Sequence, residues 1–282
     1  MKTKVKIIKR YLSKIFKSNI NRIIENEIVP NVNVISAEDT LSQLELFIHN
    51  SQKGVYMRFG DGDIFLLKNV DDGYQKKSDL LSKEMSEALS LSGPNVFKCL
   101  AIHSDLFGYS KGMIGGNHKN KDSFALKLFK DSYKYFVGSV IYSPVALHFV
   151  ATENPERANK FLKLLKSKMA VFIGNENIKS DTLNLLFGQE VIHVKTPSSN
   201  AYSEIDRIED EAIASIEKLE HFSVVCVAMG CSGRPLMKRL WKANHNIFLF
   251  DFGSLLDGID GNDSRSWLKM NAINYSELLK EL

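Results

Sequence analysis

Apolar positions change period along the chain, and the changes mark out its elements. From Pro155 onward, amphipathic stretches of helical period alternate with short apolar runs. The pattern predicts helices at about 155–167, 178–187, 201–219 and 233–243. Between them it predicts strands at Ala170 to Ile173, Val191 to Val194, Ser223 to Ala228 and Ile247 to Asp251. Strands alternating with helices through short connections argue an α/β fold with an open, mainly parallel sheet and helices on both faces. In the first half, Ser36-Ala37-Glu38-Asp39 opens a helix through about Asn50, with Ser36 or Asp39 as N-cap. Val55 to Phe59 is a short strand, and Gly60-Asp61-Gly62-Asp63 breaks it. Ile64 to Lys68 begins a new element, 78–92 is helical, and Val96 to His103 is a buried strand. A Gly-rich loop holding Gly108, Gly112, Gly115 and Gly116 follows.

Residues 3–24 are predicted as a basic amphipathic helix, and 28–36 as a linker, so that 1–35 precede one domain over 36–282. Val5, Ile8, Tyr11, Leu12, Ile15 and Phe16 share one face of that helix; Lys6, Arg10, Lys14 and Lys17 share the opposite one. Such a helix suits either peripheral contact with an anionic membrane or packing on protein.

Charge sharpens the picture. The net charge is +4, from 37 basic and 33 acidic residues. Eight of the basic residues lie within 1–24; taking those eight from the 37 leaves 29 against 33 acids. A mildly acidic body argues against nucleic-acid binding. Three cysteines, Cys99, Cys226 and Cys231, are too few and too oddly placed for a disulfide framework or a zinc site, which suits a reducing, cytoplasmic setting.

Candidate chemistry centres on Arg58-Phe59-Gly60-Asp61-Gly62-Asp63. Glycines permit tight turns and close approach of a ligand, here at Gly60 and Gly62. Two carboxylates two residues apart can offer hard oxygen donors to Mg²⁺ or Mn²⁺. Arg58 suits a phosphate. Gly230-Cys231-Ser232-Gly233 joins a strand to a helix, where free N–H groups favour an anion. Asp251 ends the next strand, where a carboxylate can take ribose hydroxyls. Pro197-Ser198-Ser199-Asn200 also opens a helix; Ser199 or Asn200 serves as cap, or the segment holds nucleotide. His103 and Asp105 are candidates for a general base. Arg234 and Arg239 read as solvated helix-face charges, and Trp241 and Trp267 as packing residues.

The 58–63 segment resembles the Arg-Phe-Gly-Asp-Gly-Glu signature of the GT-D type glycosyltransferases, with Asp63 one methylene shorter than the family's glutamate. Pro197-Ser198-Ser199-Asn200-Ala201, and Val227-Ala228-Met229-Gly230 leading to Phe250-Asp251-Phe252-Gly253, are similar to the family's later motifs. Together they span about 40–258. Ile141-Tyr142-Ser143-Pro144-Val145 departs from it, lacking the arginine of the family's middle segment. The resemblance implies a Rossmann-like fold and transfer from a UDP-sugar with Mn²⁺ or Mg²⁺ at Asp61 and Asp63. It implies an acceptor on a bacterial surface glycan, lipid-linked saccharide or glycoprotein. Two other functions fit the residues: a dinucleotide or S-adenosylmethionine enzyme using Gly230 and Asp251, and a non-catalytic membrane-recruited module.

Overall fold

The computed structural model describes residues 31–100, 130–262 and 272–282, with Arg22, Asn26 and Leu268 besides. The expectations for the 3–24 helix, the Gly-rich loop, Trp267, and His103 and Asp105 lie outside the described residues.

The strands in chain order are β1 (Asn33–Val34), β2 (Gly54–Phe59), β3 (Val96–Leu100), β4 (Val140–Ile141), β5 (Met169–Asn175), β6 (Ile192–Thr196), β7 (Ser223–Ala228) and β8 (Ile247–Asp251). The helices are α1 (Ala37–His49), α2 (Asp61–Leu67), α3 (Asp79–Ser90), α4 (Ala146–Glu153), α5 (Pro155–Lys168), α6 (Ser180–Phe187), α7 (Ile205–Ile216), α8 (Gly233–Lys242), α9 (Leu255–Ile259) and α10 (Tyr275–Leu278). Six strands form one parallel sheet in the order β3-β2-β8-β7-β5-β6.

Side-chain alternation divides the core. On one face Val55, Met57, Phe59, Val225, Val227 and Leu249 pack beneath helices α2, α3, α7 and α8. On the other, Tyr56, Cys226, Phe248 and Phe250 meet α1, α4, α5 and α6. Runs such as Ile247-Phe248-Leu249-Phe250 are apolar throughout because both faces of a parallel strand are covered.

The chain runs outward from β2 to β3 at one edge, then builds the other half outward from β5 to β6. It returns inward through β7 and lays β8 against β2. The two halves meet at the β2–β8 pair, and the crevice beyond their carboxyl ends is where open α/β sheets bind ligands.

Two expectations need correction, and one helix lies outside them. The 28–36 linker contains β1, which pairs in parallel with β4. Beyond β3, Cys99 bridges to Tyr142, whose N–H donates to Lys98 O (2.9 Å). Residues 146–153 form α4, which no helical period in the sequence marks; its sequence Ala-Leu-His-Phe-Val-Ala-Thr-Glu is mostly buried and so lacks a polar stripe. The acidic turn at 60–63 is the start of α2, with Gly60 as N-cap.

Lys98 is buried on β3, a placement that needs an account. Its ammonium donates to Leu89 O and Val137 O (both 2.7 Å) and stands 4.2 Å above the Phe136 ring. Burial pushes its pKa down to about 7. The folded chain therefore releases this proton before the unfolded chain does, and stability from this group rises as pH climbs from about 7 towards the ordinary lysine value near 10. Urea unfolding at pH 7 and 9 should show wild type gaining about 1–3 kcal/mol of stability relative to Lys98→Met between the two pH values.

Candidate functional site

The residues at the carboxyl edge are held by a buried charge network. Gly60 caps α2, and its N–H donates to Asp63 Oδ2 (2.7 Å), which turns the Asp63 side chain back under the helix start. Asp63 is 2% exposed and meets Arg234, with Nε 3.2 Å from Oδ1 and Nη2 3.3 Å from Oδ2. Arg234, in the first turn of α8, also reaches Asp251 Oδ2 through Nη1 (3.0 Å) and donates to Gly230 O (2.9 Å). The same Asp251 oxygen accepts from the Arg58 N–H (3.3 Å). One guanidinium thus joins α2, the β7–α8 turn and the end of β8.

Arg58 leaves β2 on the opposite face of the sheet. Its Nη1 lies 3.2 Å from both ring nitrogens of His148 and 3.4 Å from Phe252 O. Gly253, at φ +71°, lies under the guanidinium; a Cβ there would stand 2.1 Å from Nη1. The position requires glycine twice over, for its backbone and for the arginine.

Burial and charge set the protonation of these groups. Burial pushes Asp63 up to about 6, against the pull of Arg234 and the Gly60 N–H. It is ionised at neutral pH beside its partner. Burial, and then Arg58, hold His148 well below its ordinary value, so the ring is neutral. Arg58 Nε, Arg234 Nε and Asp63 Oδ1 are buried without an aligned hydrogen bond.

The structure brings Arg58, Gly60, Asp61, Gly62, Asp63, Gly230, Ser232 and Asp251 to one edge. It gives several of them work other than the expected one. Arg234 and Arg239 are not solvated: Arg234 is 8% exposed, and Arg239 binds Glu84, Asp206 and Glu209. Gly62 makes room for its own chain, since a Cβ would stand 2.9 Å from Cys231 Sγ and 3.0 Å from Asp72 Oδ2. Both Asp251 contacts fall on Oδ2, so a role towards ribose would use the other oxygen. The Ser232 hydroxyl is buried and donates to Gln75 Oε1 (2.8 Å). Asn200 makes no side-chain cap. Ser198 and Ser199 are exposed on the turn after β6. Asp61 is exposed, its Oδ1 accepting only from the adjacent Gly62 N–H (2.9 Å) among the bonds described.

Gly230 has φ +60°, with nothing within 4 Å of where a Cβ would be. Gly62 packs closely against the Cys231 side chain, so the segment that carries Asp61 lies against the turn that carries Gly230. Among the described residues no group of three or more His, Cys, Asp or Glu could hold a metal by itself. Hard cations at phosphate sites need less, one or two carboxylates with phosphate oxygens and water. Asp61 fits that pattern; Asp63 is engaged with Arg234.

Arg234, His148, Asp72 and Gln75 escape sequence reading. For Arg234 one signal exists: a cation in the first turn of a helix opposes the helix dipole and needs an anion to hold it there.

A doubly wound sheet with charged side chains gathered at its switch point is the architecture that takes ligands there in open α/β proteins. The model of the glycosyltransferase GT-D fold family matches residues 56–272, and the chain belongs to this family of glycosyltransferases. Three solved structures share the fold. One, described as a domain of unknown function 1792, is 18% identical with a TM-score of 0.64, over 93% of this chain and 92% of its own. A second, described as a new glycosyltransferase from Streptococcus sanguinis, is 19% identical with a TM-score of 0.61, over 89% and 93%. A third, of the same domain and described as having a distinct glycosyltransferase fold, is 19% identical with a TM-score of 0.58, over 88% and 89%. No curated protein matches the chain. Among the described residues no helix is long and apolar enough to cross a membrane.

Replacing Arg234 by Met would leave Asp63 buried without its counter-charge and Asp251 with Arg58 alone. Urea unfolding at pH 7.5 should show a loss of about 3–5 kcal/mol, the cost of breaking a buried pair on one side.

Proposed function

We propose that this glycosyltransferase moves a sugar from a nucleotide-diphosphate sugar, a UDP-sugar in the first instance, to an acceptor hydroxyl on a bacterial surface glycan, lipid-linked saccharide or glycoprotein. The observation that carries the reading is the contact of Gly62 with Cys231. It brings the segment that carries the exposed Asp61 against the turn that holds Gly230 at positive φ. A diphosphate lying between them would meet backbone N–H groups on one side and a carboxylate-held cation on the other.

Asp61 would hold Mn²⁺ or Mg²⁺, whose chemistry here is to neutralise charge on the departing diphosphate. Asp63 supports that position from below: it fixes the helix start from which Asp61 projects, through Gly60 and Arg234. Arg58 is held rigid by Gly253, His148 and Phe252 O, ready for an anionic group. Asp251 anchors both arginines and offers its second oxygen to a ribose. Ser198 and Ser199 stand exposed on the adjoining turn as nucleotide contacts. His103 and Asp105 remain the candidates for the base that takes the acceptor proton. The cytoplasm, with peripheral membrane contact through 3–24, suits a nucleotide-sugar donor and a lipid-linked acceptor.

Thermal shift with a panel of nucleotide sugars, with and without Mn²⁺, tests this. Wild type should be stabilised by a UDP-sugar more strongly with the ion. Asp61→Ala should lose that ion-dependent gain while its ligand-free stability stays within about 0.5 kcal/mol, as for other exposed positions. Full ion-dependent stabilisation of Asp61→Ala sinks the metal assignment. Stabilisation by NAD or S-adenosylmethionine but by no nucleotide sugar sinks the donor assignment.

A further inference from the structure

The segment joining α2 to α3 crosses the carboxyl edge and ties together two turns that β5 separates in the sheet. It is folded on itself by its acids. Asp72 Oδ1 accepts from the N–H groups of Tyr74 (2.8 Å) and Gln75 (2.5 Å), and Asp71 Oδ1 accepts from Lys77 N–H (2.8 Å). Towards the turn after β6 it pairs with Asn200, which sits at φ +53°. The Asn200 N–H donates to Tyr74 O (2.9 Å), and the Lys76 N–H donates to Asn200 Oδ1 (2.8 Å). Towards the turn after β7, Cys231 Sγ donates to Asp72 Oδ2 (3.0 Å).

Gln75 joins both sides with one side chain. It is 7% exposed. Its Oε1 accepts from the Ser232 hydroxyl (2.8 Å) after β7 and from the Tyr202 N–H (3.1 Å) after β6. Its Nε2 donates to Lys76 O (3.0 Å), so the amide is used at both ends. A hydrophobic side chain here would leave two donors facing an apolar group.

We infer that Gln75 is a positioning residue for donor binding, a brace through which the Ser198–Asn200 and Gly230–Ser232 turns hold one fixed separation. The inference rests on the reading that these turns hold the nucleotide sugar. Gln75 touches neither donor nor acceptor; it acts through Ser232 and Tyr202.

The test compares Gln75→Leu and Gln75→Glu with wild type by amide hydrogen exchange without ligand and by steady-state kinetics with the UDP-sugar. In Gln75→Leu, exchange should speed up at Tyr202, Lys76 and Asn200. The donor KM should rise about tenfold, the scale of one lost buried hydrogen bond, with kcat within about threefold. Gln75→Glu keeps the Oε1 acceptor and should restore protection at Tyr202 and most of the donor KM; it carries the test if the leucine variant does not fold. Unchanged exchange at Tyr202 and Asn200 overturns the brace. Faster exchange with an unaltered donor KM, or kcat and KM falling in step with the folded fraction, overturns the positioning role. A wild type that binds no nucleotide sugar sinks the reading of the site, whatever the exchange data show for the brace.

Discussion

The site depends on one guanidinium placed between two carboxylates that are almost closed off from water. A buried ion is costly unless it is paired, and a buried pair is costly unless its geometry is fixed. Arg234 meets both conditions by spanning Asp63 and Asp251, with a third tie to Gly230 O. These partners come from far apart in the chain: the start of α2, the end of β8 and the β7–α8 turn. Their convergence is therefore a property of the completed sheet. With Arg58 included, the cluster is two cations and two anions, so a neutral unit lies beneath an edge that the proposed function fills with charged ligand.

That arrangement separates two tasks that the acidic motif combines. Asp61 and Asp63 are the first and third residues of a helix, and side chains two positions apart within one turn point to nearly opposite sides of the axis. One carboxylate faces solvent and the other lies under the helix start. The network also leaves three of its own atoms without aligned hydrogen bonds. Buried polar groups left in that condition are uncommon and call for a functional account.

Much of the fold was legible because its strands are doubly covered and its helices half covered. Ile247–Asp251 and Ser223–Ala228 stand where the apolar runs place them, and Ser36 caps α1 as its position suggests. What escaped lacks a periodic signal. Helix α4 is apolar around most of its circumference, and α2 opens with two glycines that read as a turn. The candidate site was legible as a list of motifs, and the strand ends bring most of that list together. Its wiring was not. Arg234 shows only its unusual place in the first turn of α8 until Asp63 and Asp251, far away in sequence, are seen to flank it. Gln75 has no marker at all in a polar connecting segment.

The short β1 and β4 have a bearing on how the molecule behaves in a crowded solution. Beyond β3, Tyr142 already donates a backbone bond to Lys98 O, and β1 lies against β4 in turn. A foreign strand arriving at that flank finds its template occupied, which protects against edge-to-edge aggregation. The other flank, β6, is guarded by chemistry instead: Ile192 is 38% exposed there, and Lys195 alternates with buried neighbours. Loss of the lysine charge would remove a gatekeeper from the more open side of the sheet.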